Sequence, residues 1–118
     1  MAKLIDANVI IRFLLNDIPE QTKIASDIIY DGAFTIEAVI AEVVYVLKGV
    51  YNLSKKEISE KILELLELVD IEHIDVMKKT FKLFTESSLD FVDCLLISYN
   101  KVLSVDVFSF DKKLNNKL

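Results

Sequence analysis

Short apolar runs, each too brief for a helix, alternate in this chain with longer segments whose apolar residues recur every three or four positions, and this alternation restricts the fold more than any other feature. Residues 2–6 are the first run, ending in Asp6; residues 33–36, 69–74 and 106–110 are the others. The intervening spacing predicts helices over 8–15, 19–30, 37–49, from Lys55 to near Leu68, 75–85 and 91–102. Local signals support these bounds: Asn16-Asp17 after the first helix, Pro19 where a missing N–H costs least, an Asp31-Gly32 turn and a Ser87-Ser88 break. Ser54 and Glu57 form a capping-box pattern, and the helix it opens puts Ile58, Ile62, Leu65 and Leu66 on one face. Strands that alternate with helices argue for a mainly parallel, helix-covered α/β sheet.

The chain has 118 residues, 53% of them hydrophobic, enough for one core, so residues 1–118 read as a single domain. Two Gly and one Pro leave little linker, and no repeat or low-complexity tract is visible. A lone Cys94 can neither close an internal disulfide nor supply a thiolate zinc cluster, which fits a reducing, cytoplasmic setting. The charge at Asp6 argues against a signal peptide, and Arg12 interrupts the apolar stretch 9–15, which rules that stretch out as a membrane span. The formal charge of −5 means there is no broad basic surface, and on charge alone that argues against nucleic-acid binding.

The placement of the acids complicates that inference. In an open parallel sheet, ligands bind at the carboxyl ends of the strands. Asp6 ends the first run and Asp111 follows the last; Glu42 lies in the second turn of the helix leaving the second strand, and Asp93 in the first turn of a helix that must begin near the same edge. Topology therefore brings four acids from four segments to one rim. Each also has a purely structural use: Asp6 and Asp111 suit turns, and Asp90 and Asp93 suit a helix start, with Asp90 best read as an N-cap. Glu42 resists such a reading, because it projects beside Ala38, Val39 and Val46, and a carboxylate on an apolar face needs a partner. Arg12 is the only cation obviously near Asp6, so a divalent metal is the economical counter-charge, and an all-oxygen donor set favours Mg²⁺ or Mn²⁺ over zinc. His73, alone in a strand candidate, reads as structural; Cys94 reads as a small core side chain, since no His is placed to activate it.

Leu4-Ile5-Asp6-Ala7-Asn8-Val9-Ile10, Ala41-Glu42-Val43-Val44-Tyr45-Val46-Leu47, Leu89-Asp90-Phe91-Val92-Asp93-Cys94-Leu95-Leu96 and Phe108-Ser109-Phe110-Asp111, in this order, resemble the PIN-domain ribonucleases, specifically VapC-like toxins of toxin–antitoxin pairs. The resemblance implies a PIN-like three-layer α/β/α sandwich with a central, mainly parallel sheet of four to five strands. It implies Asp6, Glu42, Asp93 and Asp111 as the metal-binding and catalytic quartet, with Asn8, Ser109, Arg12 and Asp90 in support. The reaction it implies is Mg²⁺- or Mn²⁺-dependent hydrolysis of RNA phosphodiesters by metal-activated water, in a homodimer restrained by a cognate antitoxin. That antitoxin would pack on early-helix residues such as Ile11, Phe13, Leu14, Ile24, Ile28 and Ile29. If the quartet holds metal, discounting its four charges from −5 leaves −1, and RNA capture rests on the metal and on local cations such as Arg12, Lys112 and Lys113. Two alternatives remain open: a PIN-like binding module without activity, and a phosphatase or receiver-type domain, which Asp6 and Asn8 faintly suggest but for which Glu42 and Asp93 have no use.

Overall fold

β1 (Lys3–Leu4), β2 (Ala33–Thr35) and β3 (Asp70–Ile71) pair in parallel in that order, with Lys3 opposite Ala33 and Phe34 opposite Asp70. The computed structural model describes residues 2–118, and all three strands belong to the first of two compact units, which ends at Glu72; the second is His73–Leu118. Parallel neighbours need crossovers, and helices supply them: α1 (Ala7–Leu15) and α2 (Pro19–Asp31) before β2, α3 (Glu37–Gly49) and α4 (Lys55–Leu65) before β3.

Local chemistry sets the helix ends. The Asp6 carboxylate accepts from the Val9 N–H at 3.1 Å and starts α1, while Asn16 at φ 52° stops it in the left-handed conformation that Asn tolerates. Gly32, at φ 115°, makes the turn from α2 into β2 without the strain a Cβ would meet there. At α4 the capping box closes in both directions, Ser54 Oγ with the Glu57 N–H and Glu57 Oε1 with the Ser54 N–H, each at 3.1 Å. These bonds hold the Glu57 carboxyl below its ordinary value. The helix stops at Leu65, short of the expected Leu68, because Glu67 and Leu68 donate three residues back, to Glu64 and Leu65, and tighten the last turn. The core of this unit is aliphatic: Ile10, Ile29, Ile40, Val43, Leu47, Ile58, Ile62 and Leu65 are fully or almost fully buried.

The second unit has no strand among its residues. α5 (Ile74–Glu86) packs on α6 (Phe91–Leu103), followed by the short α7 (Lys112–Asn115). Phe81, Phe84 and Phe91 form an aromatic cluster with ring centroids 5.2–6.4 Å apart, meeting tilted or edge-on as aromatic quadrupoles prefer. Cys94 is fully buried in this unit, its Sγ 3.9 Å from Ser87 Oγ, as its reading as a small core side chain requires.

The sheet has three strands among the described residues, not four to five, because residues 106–110 are not a strand. Ser104, at φ 56°, ends α6; the Val105 N–H returns to the Tyr99 carbonyl, and Asn100 Nδ2 donates to the Val105 carbonyl. No backbone N–H of residues 106–110 donates a hydrogen bond in the described structure. The Val and Phe residues there fit a pleated, half-buried surface, but a strand forms only when a neighbour takes its ladder bonds. The third strand is likewise shorter than 69–74, and His73 is outside it, serving in left-handed conformation (φ 58°) as the N-cap of α5.

Candidate active site

The acids of the first unit are presented by a sheet edge and two helices. β1 and β2 are parallel, so Asp6 after β1 and the start of α3 after β2 lie at the same, carboxyl edge. Thr35, buried at the end of β2, donates its hydroxyl to the Ile5 carbonyl at 3.4 Å and ties that edge together next to Asp6. Asp6 is exposed, with one oxygen engaged at the N-terminus of α1.

Glu42 does not sit on a buried apolar face. α3 buries Ile40, Val43, Val44 and Leu47, and at 100° per residue Glu42 lies about 150° around the helix from the centre of that stripe. Ala38 and Tyr45 share its exposed side, Tyr45 being 78% exposed, and Val39 and Val46 are only half-buried. The carboxylate is hydrated, so the expected cost of burying it does not arise.

Arg12 is not the counter-charge of Asp6. Its guanidinium donates to both oxygens of Asp17, at 3.0 and 3.2 Å, and to the Tyr51 hydroxyl at 2.9 Å, while its buried Nε has no hydrogen-bond partner. The bond to Tyr51, 39 residues away, is the largest cause of the guanidinium's raised pKa. No spacing in the sequence announces that pairing. Arg12 and Asn8 line a groove of about 160 Å³ between α1 and α2, with Val9, Gln21, Ile24 and Ile28.

The second unit brings its acids into electrostatic contact. Asp90 caps α6, its Oδ1 accepting from the Asp93 N–H at 2.8 Å. Asp111 caps α7, its Oδ1 accepting from the N–H groups of Lys113 and Leu114 at 2.9 and 3.4 Å. Ser109 sets the approach to that cap: its Oγ accepts from the Asp111 N–H at 3.0 Å, and its carbonyl accepts from Asn115 Nδ2. Between them, Asp93 is half-buried and its carboxyl is pushed above the ordinary range, first by desolvation, then by the negative charges of Asp90 and Asp111, with Lys113 acting in the opposite direction. Lys113 also donates to Ser88 Oγ at 3.1 Å. Ser88 is thus a polar partner at this site that the sequence marked only as a break.

Among the described residues no three Asp, Glu, His or Cys side chains are close enough to enclose a metal ion. The donor chemistry of the second unit nevertheless suits one. Its carboxylates are hard oxygen ligands, and the repulsion and desolvation that raise Asp93 are the penalties a divalent cation removes.

The chain is an α/β protein with a short parallel sheet, Asp6 at the sheet's carboxyl edge and further acids at the helix starts of its second unit. The PIN domain family matches residues 3–117, a span that runs through both units, and the chain belongs to that family. The three-stranded parallel sheet with its many helices is a PIN-like sandwich. PIN domains are generally a metal-dependent nuclease fold. A comparison with curated proteins gave no significant match. No helix among the described residues is long and apolar enough to cross a membrane.

Proposed function

We propose that this chain is a divalent-metal-dependent ribonuclease that hydrolyses RNA phosphodiester bonds, the toxin of a VapBC-like toxin–antitoxin pair. The observation that carries the reading is the PIN-domain match over residues 3–117, supported by the half-buried Asp93 in the first turn of the helix that Asp90 caps. Asp6, Glu42, Asp93 and Asp111 would hold Mg²⁺ or Mn²⁺. When bound, that ion supplies an activated water and neutralises charge on the phosphate.

The other roles belong to the protein's own groups. Asp90 holds the first turn of α6, and so the backbone of Asp93, through its cap. Ser109 fixes the backbone of Asp111, whose Oδ1 is occupied by α7, so Oδ2 is the oxygen available to a ligand. Lys113 offsets the negative potential at Asp93 and is the local cation best placed to meet a phosphate. Asn8 is the polar neighbour of Asp6 on α1, and Arg12 stiffens that helix through Asp17 and Tyr51. The groove between α1 and α2, with Ile24 and Ile28 on its wall, is the surface proposed for the antitoxin segment. We further propose a single-domain, cytoplasmic homodimer.

The test is cleavage of single-stranded and structured RNAs with Mg²⁺ or Mn²⁺, with and without EDTA, comparing the native chain with Asp6→Asn and Asp93→Asn. Metal-dependent cleavage that both substitutions abolish is expected. Cleavage that survives EDTA, or both substitutions, would sink the mechanism, and a folded native chain that cleaves no RNA would favour a binding module.

A further inference from the structure

Phe108 and Phe110 are the most exposed aromatic rings of the second unit, at 79% and 93%, and they stand directly beside a candidate acid. Exposure alternates along this stretch, Phe108 and Phe110 being exposed while Val107 and Ser109 are half-buried. Their ring centroids are 5.1 Å apart and the planes cross at 81°. The pair forms a corner whose open ring faces water. Ser109 links this corner to Asp111: it lies between the two rings in sequence and holds the Asp111 N–H and the Asn115 side chain.

We propose that Phe108 and Phe110 are a stacking platform for one unpaired base of the RNA substrate, next to the bond to be cut; this rests on the nuclease reading above. Three features favour a base over a protein partner. The rings sit one and three residues from Asp111, in the unit that also carries Asp90 and Asp93. A chain of net charge −5 has only local cations with which to hold RNA by its phosphates, whereas stacking needs no charge. A planar base laid on one ring meets the other at a right angle, so the corner holds a single base edge and face together, the arrangement that single-stranded recognition uses.

The chain has no Trp, so Phe110→Trp creates a unique fluorophore at the site. Titration with a ten-nucleotide single-stranded RNA should quench it saturably, while an abasic oligomer of the same length and an RNA duplex should not. In cleavage assays Phe108→Ala with Phe110→Ala should raise KM about ten-fold with kcat little changed, and Phe→Tyr at both positions should restore it. The two readings fail separately. Base-dependent quenching without any cleavage keeps the platform and removes the nuclease; cleavage with unchanged KM in the double Ala variant and no quenching removes the platform and keeps the nuclease. If the double Ala variant instead converts a dimer to a monomer in sedimentation while RNA binding is unaltered, the rings are a self-association surface and the proposal is overturned.

Discussion

In the first unit Asp6 caps one helix and Glu42 stands on another, each exposed to water, and Arg12 is committed to Asp17 and Tyr51. In the second, Asp90, Asp93 and Asp111 lie close enough for Asp93 to register the charges of the other two. The first unit owes its order to a parallel sheet and an aliphatic core; the second, with no strand of its own, to three packed Phe rings and a series of Asp caps. The comparison separates two jobs that acidic residues do. An exposed carboxylate at a helix start, such as Asp6, is stabilised by capping, whereas desolvation and the charges of Asp90 and Asp111 disfavour the ionised form of Asp93.

The largest expected effect tests whether the cores of the two units melt as one. Phe81→Ala should destabilise the protein by about 3–5 kcal/mol and Ile40→Ala by about 2–5 kcal/mol, read from urea unfolding. If each substitution shifts the same single transition, the units are one cooperative structure; two resolved transitions would extend the contrast to stability. Next is the acid contrast itself: Asp93→Asn should lower cleavage by at least about 100-fold, since even groups that only orient a metal ligand cost 10–100-fold.

A pH series sharpens the same contrast at smaller magnitude. Because the folded Asp93 carboxyl is raised, its contribution to the stability of the metal-free protein is fully present below the ordinary Asp range and is lost as pH rises through the raised value. Metal-free Asp93→Asn should therefore be more stable than the native chain at neutral pH, with the gap closing on acidification. Adding Mg²⁺ should raise the melting temperature of the native chain more than that of Asp93→Asn. The smallest effect is Ser54→Ala, which opens the capping box of α4 and should cost about 1 kcal/mol in the first unit without changing Mg²⁺ affinity, as isothermal titration would report.

Residues near one another in sequence were the legible part of both fold and site. Pro19 at the start of α2, the Ser54–Glu57 box, Asp90 as the cap of α6 and the full extent of α3 all follow from interactions spanning a few residues, which the sequence displays directly. The apolar neighbours of Glu42 were read as a buried face because spacing tells which residues share a side of a helix but not which side meets the core; Ile40, Val43, Val44 and Leu47 took it. Proximity in sequence pairs Arg12 with Asp6, whereas its guanidinium binds Asp17, five residues on, and the Tyr51 hydroxyl, 39 residues on. Residues 106–110 have the composition of a strand but take no ladder bonds among the described residues.

The sequence by itself determined the α/β alternation, the helix caps and the identities of the candidate acids, because each depends on periodicity, on the hydrogen bonds of near neighbours or on residue type. Only the tertiary structure decided that the sheet has three strands among the described residues, that Glu42 faces water, and that Asp93 bears the charges of Asp90 and Asp111. Ladder bonds, solvent exposure and Coulomb repulsion all depend on distances between segments, and those distances exist only once the chain has folded.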